Sequence, residues 1–322
     1  MRGLKRSLGR LAAVLAVMGL AACGQQGGGQ AGGTTRLSIS TGGVAGVYYV
    51  YGGAYAAAIS KSLPGYVATA EATAASVDNL RLIGAKKSAI AFTLTDIAAD
   101  AVAGRDPFDA PIAARALARL YTTYVQVVAR DPAIRTIADL KGKRVSLGAP
   151  GSGAEIVALR ILKAAGLDPD KDIKRQGLNI GEASSALGDG SIDALFWTGG
   201  LPTPGITELA VNRDIHILPT VEFLPAMRKT YGDVYHETTV RAGVYKGVDV
   251  AVPVIGIENL LVVNADMPEQ EAHDLTKVLF EQKASLEAVH PEAKNLDLKA
   301  AQNTGAVPLH PGAARYFQEA SK

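Results

Sequence analysis

Ser40-Thr41-Gly42-Gly43-Val44-Ala45-Gly46-Val47-Tyr48-Tyr49-Val50-Tyr51-Gly52-Gly53 is the stretch that decides how this chain folds. Leu37-Ser38-Ile39-Ser40 alternates apolar and polar residues and reads as a strand. The alanine-rich segment 54–60 reads as a helix. A strand that turns through glycines into a helix leaves bare backbone N–H groups at the helix start, where an anion is favoured. Gly42, Gly43 and Gly46 let a ligand come close to the main chain, and Tyr48 and Tyr49 offer ring faces and hydroxyls beside it. A tight strand-helix turn with two core tyrosines would use the same residues, so the stretch alone leaves both readings open. It is not a P-loop, because no Gly-Lys-Ser/Thr closes it, and the dinucleotide fingerprint spacing is missing.

Upstream, Arg2, Lys5, Arg6 and Arg10 form a basic head and 11–20 an apolar core too short to span a bilayer stably. Leu20-Ala21-Ala22-Cys23 ends this segment and resembles the lipobox of bacterial lipoprotein signals. That resemblance implies a signal peptide over 1–22, cleavage before Cys23, and a lipid anchor on Cys23, which is the only cysteine and can make no internal disulfide. An ordinary secretory signal is the alternative. Gly24 follows the cysteine, so the aspartate known as an inner-membrane retention signal is missing. The glycine- and glutamine-rich segment 23–35 lacks the apolar surface to fold and reads as a flexible tether. The expected location is therefore periplasmic or cell-surface, lipid-anchored to the membrane.

Of 33 basic and 31 acidic residues, four basic ones lie in the signal, leaving 29 against 31. A nearly neutral mature chain argues against a nucleic-acid partner or a polybasic membrane surface. No second stretch is long and apolar enough to cross a membrane. Strand and helix patterns alternate, which argues for an α/β fold with parallel strands covered by helices. Two segments echo each other, each a short helix, a break and a buried strand. One runs over 76–93, the other over 183–197. Thr93, Thr95 and Asp96 end the first strand and Trp197, Thr198 and Gly199 the second, where ligands of open α/β sheets bind. Residues 120–130 read as a long strand crossing between two domains, and 252–263 as the return. Pro150-Gly151-Ser152-Gly153 is a second glycine-rich helix start, in which Ser152 is equally suited to cap the helix or to bind a ligand. Ser76 reads as an N-cap with Asn79 as its capping partner.

No catalytic constellation emerges, so the chain does not read as an enzyme. His216, His236, His273, His290 and His310 are scattered without ligand spacing, and no Gly-x-Ser-x-Gly elbow occurs. Asp168, Asp170 and Asp172 lack the glycine and glutamate of a calcium loop. Neither a metal nor another cofactor is expected.

The ordered motifs point to a family. Ser40-Thr41-Gly42-Gly43…Gly46-Val47-Tyr48-Tyr49, Glu71-Ala72-Thr73-Ala74-Ala75-Ser76-Val77-Asp78-Asn79-Leu80, the run 138–155 and Val307-Pro308-Leu309-His310-Pro311-Gly312-Ala313 together resemble the TAXI family, extracytoplasmic solute receptors of TRAP transporters. The likeness runs from about Leu37 to Phe317. Val50 stands where the family often has proline, and Ala74 where it often has glycine. The resemblance implies a class II periplasmic-binding-protein fold, two α/β lobes joined by a two-strand hinge. Lobe 1 is placed at 36–126 plus 255–322 and lobe 2 at 127–254. It also implies a monomer that hands its ligand to a TRAP membrane permease. Known members bind small organic anions such as glutamate, related amino acids or 2-oxoglutarate. The expected ligand-binding residues are Gly43, Gly46, Tyr48, Tyr49, Ser76, Asn79, Thr95, Ser152, Gly153, Trp197, Thr198 and Gly199. A ligand-sensing or surface lipoprotein with the same fold and no transporter is the alternative.

Overall fold

The computed structural model describes residues 33–322. The signal peptide, Cys23 and most of the tether lie outside the described residues. The strands are β1 (Thr35–Ser40), β2 (Tyr66–Glu71), β3 (Ile90–Leu94), β4 (Ala114–Ala129), β5 (Arg144–Ser146), β6 (Lys174–Gln176), β7 (Ala194–Gly199), β8 (His216–Leu218), β9 (Tyr235–Val240) and β10 (Val252–Asn264). The helices are α1 (Val47–Ser62), α2 (Ser76–Gly84), α3 (Thr95–Ala103), α4 (Gly153–Ala164), α5 (Ile180–Asp189), α6 (Pro204–Asn212), α7 (Leu224–Tyr231), α8 (Glu269–Glu281), α9 (Lys283–Val289) and α10 (Pro311–Ala320).

All ten strands join one mixed sheet whose main path is β2-β1-β3-β10-β4-β7-β5-β6. β1 pairs in parallel with β2 and β3 at one end, and β5 in parallel with β6 and β7 at the other. The two long strands, β4 and β10, run antiparallel to each other through the middle. Their other partners change along their length. β10 pairs with β9 from Val252 to Ile257 and with β3 from Asn259 to Val263. β4 pairs with β10 up to Tyr124, and with β7 from Tyr124 to Ala129. The ladder between β4 and β10 shifts register near Glu258 and Leu261, where the extra residue lets the sheet bend.

β3 is buried along its whole length and reads Ile-Ala-Phe-Thr-Leu, as a strand covered on both faces should. One apolar cluster joins Val77 and Leu80 of α2, Ile97 of α3, Val157 and Ile161 of α4 and Met227 of α7 over one face of the sheet. A second packs Tyr51, Tyr55 and Ile59 of α1 against Leu275 and Leu279 of α8 and Phe317 of α10. A third lies under α5 and α6. Each fully buried leucine or isoleucine in these clusters contributes about 1.5–3 kcal/mol relative to exposure.

Three expectations need correction. α1 begins at Val47, seven residues before the alanine run, because burial of Val47, Tyr51 and Tyr55 overrides the low helix propensity of its first turn. β4 begins at Ala114, because its 114–119 end pairs with β10. The cap of α2 is Ala75, not Ser76, and no side chain caps that helix. Ser76 is its first helical residue, and its hydroxyl accepts instead from the backbone N–H of Leu94 at 3.2 Å.

Candidate functional site

The starts of α1, α2, α4 and α5 converge on one cavity of about 40 Å³, a few times the space one water needs. α1 brings Gly46, Val47 and Tyr48, preceded by Gly42 and Gly43. α2 brings Ala75 and Ser76, preceded by Thr73 and Ala74; α4 brings Ser152, Gly153 and Ala154; α5 brings Asn179 and Ile180. The carboxyl end of β7 adds Trp197, Thr198 and Gly199, and the middle of β4 adds Tyr121. No lining side chain is charged.

The four helix starts differ in how their first N–H groups are met. Ser152 caps α4 by accepting from the Glu155 N–H at 3.0 Å. Asn179 and Glu182 form a reciprocal capping box on α5. α1 and α2 have no side-chain cap. Apart from the Asp78 N–H of α2, which donates to the Gly151 carbonyl, their first-turn donors, with the positive ends of both helix dipoles, lie on the cavity side. Ala75 also holds a φ of +86°, a strained conformation for a residue with a Cβ.

Close approach holds the helix starts together. A Cβ on Gly153 would lie 2.7 Å from both the Ser76 hydroxyl and a Leu94 methyl, so glycine is what lets α4 meet α2. The N–H of Asp78 on α2 donates to the Gly151 carbonyl at 3.2 Å across the same gap. A Cβ on Gly46 would lie 3.3 Å from the Trp197 ring, so the indole forms a wall against the glycine loop. The Trp197 Nε1 donates to Thr203 Oγ1 at 3.0 Å, which fixes the ring's orientation.

The hydroxyl of Tyr48 donates to Oδ1 of Asn259, whose amide donates in turn to the Tyr121 carbonyl at 3.0 Å. The Tyr121 side chain is 1% exposed and its hydroxyl has no protein partner. Burial pushes the phenols of Tyr48 and Tyr121 above their ordinary pKa, so both stay neutral.

The structure thus gathers Gly43, Gly46, Tyr48, Ser76, Ser152, Gly153, Trp197, Thr198 and Gly199 around one space. It places three expected residues elsewhere. Tyr49 follows Tyr48 by one position, roughly 100° around the helix, and leaves the lining. Asn79 is fully buried. Its amide donates to the carbonyls of Ser40, Thr41 and Phe92 at 3.3, 2.7 and 2.8 Å, and its oxygen accepts from Thr73 at 2.6 Å. Its hydrogen-bonding groups are therefore engaged in shaping the loop. Thr95 donates to the Glu258 carbonyl at 2.7 Å and faces a separate recess lined by Arg119, His236 and Glu258. Tyr121 and Asn179 were not expected. Asn179 carried a visible sign, the Asn-Ile-Gly-Glu capping box. Tyr121 carried none beyond its place on a crossing strand.

The NMT1-like family model matches residues 39–320. The overall architecture is shared with solved structures of low sequence identity. PhnD1 from Prochlorococcus marinus in complex with methylphosphonate is 11% identical, with 80% of this chain and 90% of that chain covered and a TM-score of 0.52. A protein from Bordetella bronchiseptica is 18% identical, with 88% of each chain covered and a TM-score of 0.51. The periplasmic aliphatic sulphonate binding protein SsuA from Escherichia coli is 16% identical, with 88% of this chain and 82% of that chain covered and a TM-score of 0.48. The architecture is the mixed α/β fold of periplasmic binding proteins. The chain belongs to the NMT1-like family.

Proposed function

We propose that this chain is an extracytoplasmic receptor that captures a small organic anion and delivers it to a TRAP-type membrane permease. The observation that carries the reading is the convergence of four helix starts, two of them uncapped, on a cavity without a charged side chain. Neutral N–H donors around an ionised acceptor each contribute about 1.5–3 kcal/mol. The TAXI-like motifs support the partner, and the lipobox-like Leu20-Ala21-Ala22-Cys23 supports a lipid anchor at the periplasmic or outer face of a membrane.

In this reading the receptor works as two lobes, 36–126 plus 255–322 and 127–254. Among the described strands β4 and β10 alone pass between them, and their partners change near 124 and 258. A cavity this small requires the lobes to part for a ligand to enter, a hinge motion. A thermal-shift screen of the mature chain over amino acids, dicarboxylates and oxo acids tests the function. At about a thousand times its dissociation constant a ligand adds roughly 4 kcal/mol of stability, which moves the melting midpoint by several degrees. A flat response to every anion with a response to neutral sugars or to cations would refute the reading.

A further inference from the structure

Resting on the reading of this cavity as an organic-anion site, we infer that its occupant carries carboxylate but no ammonium group, and that the Tyr121 hydroxyl contacts the oxygen that stands where an amino acid has its nitrogen. The ligand class is then a 2-oxo acid or a 2-hydroxy acid, and not the corresponding amino acid.

Two independent observations meet here. The first is the charge of the lining. It contains neither Asp nor Glu, while the starts of α1, α2, α4 and α5 bring four positive dipole ends. That field holds a carboxylate and repels a cation. An ammonium group placed in it would be stripped of water and left without an anionic partner. The nearby acids lie outside the lining, among them Asp78, Glu155 and Glu182 in the first turns of α2, α4 and α5. Asp96 is bound through Oδ2 by Arg160 and Tyr235, its Oδ1 having no protein partner, and Glu292 accepts from the Leu201 N–H and from Asn295, each at 2.6 Å. Neither belongs to the lining.

The second is Tyr121. A hydroxyl that is buried, neutral and without a protein partner is costly unless something else meets it. Tyr121 lines the cavity, and the neighbouring phenol of Tyr48 already donates its hydrogen bond to Asn259. Tyr121 is therefore the side-chain hydroxyl in the lining still free to donate from a phenol, and it suits a carbonyl, hydroxyl or carboxylate oxygen. Its stacking on Tyr51, with ring centroids 6.0 Å apart, and the Asn259 bond to its backbone hold it on β4.

The test is calorimetric titration of the mature chain with matched pairs that differ at one carbon: 2-oxoglutarate and 2-hydroxyglutarate against L-glutamate, and 4-methyl-2-oxopentanoate against L-leucine. The inference expects at least one nitrogen-free member to bind about tenfold or more tighter than its amino acid. Tyr121→Phe should weaken that ligand by about tenfold or more, while the free variant melts at the same temperature or higher, because an unmet buried hydroxyl is gone. An amino acid that binds as tightly as its nitrogen-free partner overturns the ligand class. Unchanged affinity in Tyr121→Phe overturns the role of Tyr121. If no member of any pair binds, the organic-anion reading itself falls and takes the inference with it, an outcome distinct from the other two.

Discussion

Arg160 of α4 reaches Asp96 of α3 at 3.0 Å and ties together two helices that belong to opposite ends of the sheet. The same guanidinium donates to the Tyr235 hydroxyl at 2.7 Å and to Asp100 at 2.5 Å, and lies 4.3 Å from the centre of the Tyr231 ring. Arg160 is 9% exposed, Asp96 3% and Asp100 7%. The two carboxylates hold the guanidinium firmly charged despite its burial. Arg160→Met should therefore leave Asp96 buried without a counter-charge, with Asp100 still paired to Arg105 at 2.8 Å, and cost about 3–5 kcal/mol. Urea unfolding of the free protein measures this. A midpoint equal to that of the parent would mean that the network adds nothing to the fold.

The α2–α4 approach gives a steric prediction. Gly153→Ala places a Cβ 2.7 Å from the Ser76 hydroxyl and from Leu94 and 3.0 Å from the Ser76 Cβ, so this buried contact must shift. Overpacking of this kind costs about 1–3 kcal/mol. Because the same glycine lies at the start of α4 in the cavity wall, ligand affinity should fall along with the melting temperature. A variant that keeps both would show that the two helix starts are free to separate.

Two buried histidines set a pH dependence. His290 accepts from the Glu292 N–H through Nδ1 at 3.2 Å, and His310 accepts from the Gly312 N–H in the same way at 3.2 Å. Both bonds need a neutral ring. Burial pushes both imidazoles below the ordinary value of 6.5, and Arg115 lowers His310 further against the opposing pull of Glu269. The folded chain therefore takes up these protons less readily than the unfolded chain. The stabilisation is fully present above about 6.5 and is lost as the pH falls through the lowered folded values. Melting temperature should drop between roughly pH 7 and pH 5, and His290→Asn with His310→Asn, which keeps an acceptor at each position, should flatten the drop. A double variant with the parent's pH profile would assign the acid sensitivity to other groups.

The alternation of strand and helix, the two glycine-rich helix starts and the echo between 76–93 and 183–197 were legible because each is local. The echo corresponds to α2 with β3 and to α5 with β7, and it brings Ser76 and Trp197 to one cavity. What escaped depended on partners distant in sequence. The first turn of α1, Val47-Tyr48-Tyr49-Val50, has β-branched and aromatic residues that favour a strand, and the packing of Tyr48 on Phe92, continued by Tyr51 on Phe92 and Tyr121, favours the helix instead. Asn79 and Thr95 looked like ligand residues because polar side chains at strand ends often are. Both serve backbone carbonyls instead, at Thr41, Phe92 and Glu258. Nothing local distinguishes Tyr121 from the other tyrosines, because its place in the lining and its unmet hydroxyl arise only in the folded chain.

Trp197 supplies the last prediction, since the chain has one tryptophan and that residue walls the cavity. Its ring packs against Gly46 of the first helix start while its Nε1 bonds Thr203 behind it, so it bridges the two ends of the sheet. A ligand entering the cavity replaces water at the indole face, and closure of the lobes would shift the ring against Gly46. Emission of the free protein should therefore change on ligand addition, with no competing signal from another tryptophan. Trp197→Phe keeps an aromatic wall but loses the bond to Thr203, and it should weaken binding by about 1 kcal/mol, the scale of one hydrogen bond. Trp197→Ala removes the wall and should cost about 2–4 kcal/mol of affinity, as loss of a buried aromatic anchor does. Titration of the three proteins with one ligand orders them. An alanine variant that binds as tightly as the phenylalanine variant would place the ligand away from this wall.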